Sequence, residues 1–233
     1  MILRTCSFCD IGLMREKNQD SVFCGADGES VLAAVADGMG GHEKGEEASG
    51  LIREALRDWW RAYREKPEKP TFSEGAKELS AVLAGCNARI RASVPETVIC
   101  GSTATLLWIS QGRWAVLSIG DSRCYLARKS LLGIRLSQIS TDDVWENQEE
   151  VQEHYTRAEM ELHPDYGSLT MAVGVKDAFS CERKEGKLER HSVFFLCSDG
   201  VHGCIAPRRL GRSIRLGGGN PSRLVAGLAR EVE

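Results

Sequence analysis

The stretch VADGMGG, residues 35–41, carries an apolar run directly into a turn that contains three glycines. A single carboxylate, Asp37, stands at the junction. Taken alone, an Asp-Gly pair most often marks a turn. An apolar strand that ends in a carboxylate is also a way to place an oxygen ligand for a cation at the rim of a sheet. Other parts of the sequence bear on the choice between these two interpretations.

Three further carboxylates share this pattern. Asp121 lies in VLSIGDSRCY, Asp199 lies in FFLCSDGVHG, and Asp20 lies in REKNQDSVFC. An ionised carboxylate is costly to desolvate unless a positive group pairs with it. Several carboxylates at strand ends, with no matching lysine, therefore indicate a divalent cation, and ligands that are all oxygen favour Mg²⁺ or Mn²⁺ over zinc. Gly38, which follows Asp37, would let a backbone carbonyl approach the ion.

The composition is that of an ordinary globular protein. The chain has 233 residues, of which 42% are hydrophobic and 27% are charged, and its formal net charge is −3. This length supports one domain with a substantial core, and the net charge does not favour a nucleic-acid partner. No stretch approaches the roughly 18 apolar residues that a membrane helix needs. The N-terminus lacks the features of a secretory signal.

The cysteines indicate a reducing compartment. Cys6 and Cys9 form a CxxC, which could be redox-active or half of a zinc site. The stretch is predicted to be a strand, however, on which residues three apart face opposite sides. Four other cysteines lie within or beside apolar runs and are expected to be buried thiols: Cys24, Cys100, Cys124 and Cys197. Together with the missing signal peptide, this usage predicts a cytoplasmic protein.

Hydrophobic periodicity predicts an α+β fold. Strands are expected over residues 5–11, 21–25, 30–36, 103–109, 114–119, 123–128, 134–138, around 179–188 and over 191–197. The last of these is nearly all apolar, which predicts a central strand covered on both faces. Helices are expected over residues 48–63 and 72–90 and after Asn220-Pro221. Because strands and helices are segregated, layers are favoured over alternating βαβ units.

Two segments have an unusual charge. Residues 142–165 hold nine acidic residues and one arginine, and few large apolar residues anchor them. This predicts either a mobile lid over a site or a solvated helical pair without a role. Six arginines lie between Arg208 and Arg230 with no acid among them. They form either a solvated surface or a contact for an acidic partner.

Six motifs in chain order resemble those of the metal-dependent PPM (PP2C-type) protein serine/threonine phosphatases in their short bacterial form. They are GLMREKNQD at 12–20, VADGMGGHEKGEEAS at 35–49, GSTATLLWI at 101–109, IGDSRCYLAR at 119–128, SLTMAVG at 168–174 and LCSDGV at 196–201. The resemblance covers nearly the whole chain. It implies a four-layer α-β-β-α sandwich in which two packed antiparallel sheets are flanked by helices. The implied organisation is a single domain, residues 1–233, with a flap at about 140–166.

The same resemblance implies a metal centre of two, and in bacterial members three, Mn²⁺ or Mg²⁺ ions. Asp37 would bridge two ions, Gly38 would offer its carbonyl to the second, and Asp199 would bind the first. Asp121 would join Asp199 at the third site. The family also ends in a strand that carries an Asp-Asn ligand, and this sequence has no aspartate after Asp199. The closing strand is therefore expected to be missing, either because the sequence stops early or because a ligand is lost.

The implied reaction is hydrolysis of phosphoserine and phosphothreonine monoesters by a metal-activated water. Asp20 would orient that water. Arg15, five residues earlier, carries a guanidinium that can hold phosphate oxygens bidentately, although an isolated arginine is more often a surface charge. A bacterial Ser/Thr kinase or an FHA-type scaffold would be the phosphoprotein substrate, and the chain would act as a monomer.

Two other functions remain open at this stage. The missing Asp-Asn strand would also suit a pseudophosphatase, a module that binds phosphoproteins without hydrolysing them. Hydrolysis of small phosphate esters is a weaker alternative, because an acidic lid would repel a free polyanion.

Overall fold

The structure is a computed structural model that describes residues 3–12, 17–40, 44–95, 97–130 and 133–232. The strands are β1 Asp20–Ala26, β2 Val31–Gly40, β3 Cys100–Ser102, β4 Ala104–Ser110, β5 Arg113–Ile119, β6 Arg123–Ser130, β7 Gly133–Gln138, β8 Glu182–Lys187 and β9 Val193–Cys197. The helices are α1 Lys44–Glu65, α2 Phe72–Ser93, α3 Glu149–His154, α4 Arg157–Glu161, α5 Asp199–His202, α6 Pro207–Leu216 and α7 Pro221–Val232. A short 3₁₀ helix spans Trp145–Asn147.

The strands form two antiparallel sheets. The larger has the order β1-β2-β4-β5-β8, and β3 pairs with the far end of β2. The smaller has the order β7-β6-β9. Strand β2 pairs with different strands along its length: residues 31–37 pair with β1, and residues 38–40 pair with β3. The strand therefore continues through Asp37, and the expectation that it ends at residue 36 was wrong.

Side-chain alternation along the strands builds four layers. On β4, Leu106 and Trp108 face α1 and α2, while Leu107 and Ile109 face the smaller sheet. On β6, Leu126 faces the larger sheet, and its neighbours Tyr125 and Ala127 pack on α6 and α7. Because successive residues on a strand point to opposite faces, each sheet contributes to two cores. The layer order is helix, sheet, sheet, helix, as the sequence predicted.

The helices of the first layer begin where local chemistry favours them. The Thr71 hydroxyl accepts a hydrogen bond from the Glu74 N–H, and the Glu74 carboxylate accepts one from the Thr71 N–H. This reciprocal cap satisfies two donors that the start of α2 would otherwise leave unpaired. Acidic residues Glu46 and Glu47 occupy the first turn of α1, where the helix dipole favours negative charge.

Two further sequence predictions about elements were wrong, and one helix was missed. Residues 5–11 form no strand and are exposed, since they find no strand to pair with among the described residues. Within the described part of the chain, strand β9 pairs with β6 alone, so it is an outer strand rather than a central one. Helix α6 was not foreseen, although Pro207 at its first turn is a start signal.

The cysteines are free throughout. Cys100, Cys124 and Cys197 are buried as expected, and Cys24 is only half-buried. Burial raises the pKa of the Cys197 thiol to about 12, so this thiol is neutral and acts as an apolar side chain. Within the described ranges, no helix combines the length and the hydropathy needed to cross a membrane.

Candidate metal centre

The four predicted carboxylates come from four chain segments, three of them at or just beyond a strand end and Asp37 within β2. Asp20 is the first residue of β1 and lies opposite Asp37 of β2 in the strand register. Asp121 follows β5 in the turn that leads to β6, and Asp199 is the first residue of α5, directly after β9. Both sheets thus contribute to the site. Of the remaining predicted residues, Arg15 lies outside the described part of the chain.

Asp37 is at the centre of this group. Burial, followed by the negative charges of Asp20 and Asp199, raises the pKa of Asp37 to about 9. Repulsion among buried carboxylates of this kind is typical of sites that bind a cation. A cation placed among them would let all three ionise.

Asp121 shows the same effect more weakly. Its pKa is raised to about 6 by burial and by the charge of Asp199. Asp199 is therefore the common neighbour of Asp37 and Asp121. The backbone of Asp121 is held by His202, whose Nε2 lies 3.1 Å from the Asp121 carbonyl oxygen. His202 was not singled out from the sequence.

Gly38 is required by close packing as well as by any ligand role. A Cβ on Gly38 would collide with the backbone carbonyl of Gly45, in the first turn of α1. The Gly38 N–H donates to the Gln19 carbonyl at 3.0 Å. The Asp-Gly pair therefore belongs to a strand that packs against the start of a helix. Residues 37–38 do not form a simple turn.

Buried hydroxyl groups connect the segments that carry the carboxylates. The Asp37 N–H donates to Thr103 Oγ1 at 3.0 Å, and Thr103 Oγ1 lies 2.7 Å from Ser122 Oγ. The Asp37 carbonyl accepts from the Thr103 N–H at 2.8 Å and from Ser102 Oγ at 3.0 Å. These contacts tie β2 to the turn that carries Asp121. Sequence reasoning missed these contacts, although Ser102 and Thr103 lie within the GST motif and Ser122 lies within the GDS motif.

A second link joins the two sheets at the site. Ser198 Oγ donates to Asp20 Oδ2 at 2.6 Å, across 178 residues of sequence. Ser198 stands between β9 and Asp199, so this bond places the start of α5 next to the start of β1. Asp20 is thereby oriented by a neighbour of a predicted ligand, which agrees with a supporting role for Asp20.

The acidic segment lies within the flap, residues 140–166. The start of the flap at Asp142 and Asp143, called the flap root, is held by polar contacts. The Asp142 carboxylate, only 9% exposed, receives Arg123 Nη2 at 2.7 Å and Arg123 Nε at 2.8 Å. The Asp143 carboxylate accepts the Gly120 N–H at 2.8 Å, and the Asp143 N–H donates to the Gly120 carbonyl at 3.0 Å. The flap root is therefore fixed to the turn that carries Asp121 by polar contacts rather than by large apolar side chains.

Aromatic rings hold the outer part of the flap together. The rings of Trp145 and His163 stack with centroids 4.1 Å apart, and Tyr155 packs against both. Two short helices, α3 and α4, lie between these contacts. The flap thus has a small core of its own.

The donors fit a hard divalent cation, although they are not arranged as a complete coordination shell. Across the described residues, no three His, Cys, Asp or Glu side chains already converge as a metal site would require. The available donors are carboxylate oxygens and a backbone carbonyl, and the raised pKa of Asp37 reports uncompensated negative charge. This donor chemistry suits Mg²⁺ or Mn²⁺.

Comparison with known proteins agrees with the fold and the motifs. The family model described as "Protein phosphatase 2C" matches residues 15–215, which is most of the chain. The chain belongs to the protein phosphatase 2C family. As a member of this family, it contains in one continuous match the segments of Asp37, Asp121 and Asp199.

Individual relatives point the same way. The serine/threonine protein phosphatase PstP of Mycobacterium tuberculosis is 35% identical over 205 residues, which cover 86% of this chain and 37% of that protein. The chain therefore spans little more than a third of that relative's length. A crystal structure of the M. tuberculosis phosphatase PstP/Ppp superposes with a TM-score of 0.80 at 25% identity, covering 100% of this chain and 92% of the other.

A structure of the PstP catalytic domain is also similar, with a TM-score of 0.74 and 26% identity. It covers 99% of this chain and 93% of the other, and it contains two manganese ions. These likenesses confirm the predicted α-β-β-α fold.

Proposed function

We propose that this chain is a metal-dependent protein serine/threonine phosphatase that hydrolyses phosphoserine and phosphothreonine monoesters. Three observations support the proposal: the 2C family match, relatives named as serine/threonine phosphatases, and the carboxylate group around Asp37. The observation that carries it is the placement of Asp37 opposite Asp20 in the strand register, within the part of the chain that the family model matches. The raised pKa of Asp37 beside two other acids is consistent with a cation site.

The residue roles are those that the family resemblance implies, and the positions of the residues in the fold support them. Asp37 would bridge two Mn²⁺ or Mg²⁺ ions, with the Gly38 carbonyl and Asp199 as further ligands, and Asp121 with Asp199 would hold a third ion. When bound, such ions lower the pKa of water and stabilise the charge of a phosphoryl group. Asp20, held by Ser198, would accept a hydrogen bond from water in the site.

Arg15 is proposed to bind the phosphate of the substrate. Its guanidinium would pair with phosphate oxygens in a bidentate manner. The flap root lies beside the Asp121 turn, so a peptide bound there would meet the flap. The acids at the exposed surface of the flap favour a phosphoprotein segment over a free polyanion.

The wider setting is part of the same proposal. The chain would act as a monomer of one domain, residues 1–233, with a flap at about 140–166. It would reside in the cytoplasm and dephosphorylate a Ser/Thr kinase or an FHA-type scaffold. The free state of the cysteines supports a reducing compartment.

An assay of the purified chain tests the activity directly. Para-nitrophenyl phosphate and a phosphothreonine peptide are offered with Mn²⁺, with Mg²⁺ and with EDTA, beside an Asp37→Asn variant. We expect hydrolysis that requires a metal and is reduced by at least about a hundredfold in the variant, as is typical when a main electrostatic element is removed. A folded wild-type chain that binds the phosphopeptide but leaves it intact under every condition would instead favour the pseudophosphatase.

A further inference from the structure

Arginines dominate the outward face of α6 and α7, the helix layer that covers the smaller sheet. The inward residues of these helices, among them Leu210, Ile214 and Leu224, are buried against that sheet. The outward face exposes six arginines: Arg208, Arg209, Arg212, Arg215, Arg223 and Arg230. Residues 207–232 contain no lysine and no aspartate. The positive charge of this face is thus carried by guanidinium groups alone.

One acid lies in this layer, and an arginine already holds it. Arg209 Nε lies 2.6 Å from Glu231 Oε2, and Ser213 Oγ is 3.5 Å from the other carboxylate oxygen. The remaining five arginines of the face make no ion pair with any residue that the structure describes. Some exposed arginines elsewhere find acids, as Arg113 does with Glu185 at 2.9 Å, while others, such as Arg53 and Arg135, make no ion pair with a described residue. This face therefore keeps a positive charge that the chain itself does not neutralise.

Several of these arginines are placed against the electrostatic preference of α6, although the helix dipole favours Arg215 in its last turn. Arg208 and Arg212 are four residues apart, and Arg212 and Arg215 are three apart, spacings at which like charges on a helix repel. Arg208 and Arg209 also lie in the first turn of α6, where the helix dipole favours anions and where no acid is present. An arrangement that opposes local stability without an internal compensation is typical of a functional surface.

The shape of the face narrows the class of partner. A cleft of about 600 Å³ is lined by Arg208, Arg209, Arg212, Ser213, Leu216 and Glu231. Guanidinium groups pair bidentately with carboxylates and phosphates, and the Arg209–Glu231 pair shows that this cleft accepts a carboxylate. Leu216, 71% exposed, adds an apolar contact at the rim. Residues 207–232 have no aromatic ring on which a nucleobase could stack.

We propose that the outward face of α6 and α7 is a docking surface for an acidic protein segment. Carboxylate side chains of the segment would pair with the arginines that lack an acid, and an apolar residue beside them would pack on Leu216. The complementarity is local, because the net charge of the whole chain is −3. The proposal concerns binding and stands whether or not the chain is catalytically active.

Fluorescence anisotropy of the full chain tests this surface. The probe is a labelled peptide of repeating Glu-Glu-Leu units, with a Gln-Gln-Leu peptide as its uncharged match. The test variant is Arg208→Gln with Arg212→Gln. The control variant is Arg57→Gln with Arg61→Gln, which removes the same charge from the exposed side of α1.

We expect the acidic peptide alone to bind the wild-type chain, and added salt to weaken the binding. The α6 variant should lose at least about tenfold in affinity, while the α1 variant stays within about twofold of the wild type. The melting temperature of the α6 variant should be equal to or above that of the wild type, since like charges are removed. A loss of affinity would then not reflect unfolding.

Other outcomes overturn the proposal. They are an absence of peptide binding, equal binding by the α6 variant, or tighter binding to duplex DNA or to vesicles of phosphatidylcholine and phosphatidylserine. Self-association of the wild-type chain that the α6 variant abolishes would assign the face to a second copy instead.

Discussion

At the scale of single residues, the buried carboxylates of the site lower the stability of the fold because they repel one another. Asp37 carries a carboxyl that burial and two acidic neighbours disfavour in its ionised form. Sites that bind cations commonly hold like charges together in the absence of the ion, because the ion supplies the compensation. The pH dependence of the metal-free protein should reveal this conflict.

We predict that Asp37→Asn stabilises the chain when metals are removed with EDTA. The folded pKa of Asp37, about 9, lies above its ordinary value of 3.8. Protonation therefore supports the fold fully below about pH 4, and this support is lost as the pH rises toward 9. Asparagine cannot ionise, so the variant should gain stability over the wild type by on the order of 1.4 kcal/mol for each pH unit above about 4, and should approach the wild type near pH 4.

Urea denaturation across this pH range measures the effect. Asp165→Asn, at an exposed flap position, is the matched control and should track the wild type. If the wild type and Asp37→Asn show the same pH profile without metal, the repulsion at Asp37 is absent.

A second residue-scale prediction concerns Thr103. Thr103→Val keeps the shape of the side chain but removes the hydroxyl that receives the Asp37 N–H and contacts Ser122. Leaving a buried donor unsatisfied costs about 1–3 kcal/mol. We expect that loss of stability together with weaker Mn²⁺ binding, whereas Thr103→Ser, which retains the hydroxyl, should bind Mn²⁺ as the wild type does. Equal Mn²⁺ affinity in the valine variant would remove the positioning role.

At the scale of elements, the flap depends on its root. The Asp142–Arg123 pair is largely buried and doubly bonded. Removing one partner of such a pair leaves an uncompensated buried charge and typically costs about 3–5 kcal/mol. We therefore expect Asp142→Ala to lower the free energy of unfolding by this amount.

The exposed Arg157–Glu161 pair in α4 provides the comparison. Glu161→Ala should cost less than about 1 kcal/mol, because solvent screens that pair. Chemical denaturation of both variants measures the difference. Similar losses for the two substitutions would mean that the flap root is not held by its buried ion pair.

Most elements were predictable because their signals are local. The periodicity over 48–63 and 72–90 corresponds to α1 and α2, and the apolar run over 114–119 corresponds to β5. Residues 5–11 carried a strand-like pattern without a partner strand, and pairing is not encoded locally. The outer place of β9 likewise depends on sheet order, which no single segment specifies.

The candidate ligands were predictable for a different reason. Asp37, Asp121 and Asp199 each sit in a short motif, and the set of motifs in chain order marks these positions although each Asp-Gly pair alone indicates a turn. Their supports are not local: Thr103 meets Ser122 across 19 residues, and Ser198 meets Asp20 across 178. Which hydroxyl faces which carboxylate follows from strand register, and the register appears only in the folded chain.

At the scale of the whole molecule, two sheets meet so that segments distant in sequence place carboxylates together. The larger sheet supplies Asp20 and Asp37, and the smaller sheet supplies Asp199 through the end of β9. The central claim is that these carboxylates together hold divalent cations. Activity alone tests the claim indirectly, because a failed reaction has several causes.

Calorimetric titration of the metal-free chain with Mn²⁺ tests the claim most directly, with Asp37→Asn beside it and Asp165→Asn as the control. We predict that the wild type and the control bind Mn²⁺ alike and that Asp37→Asn binds at least about tenfold more weakly, since a charged ligand is lost. Undiminished Mn²⁺ binding by a folded Asp37→Asn chain would contradict the assignment of this site as the metal centre.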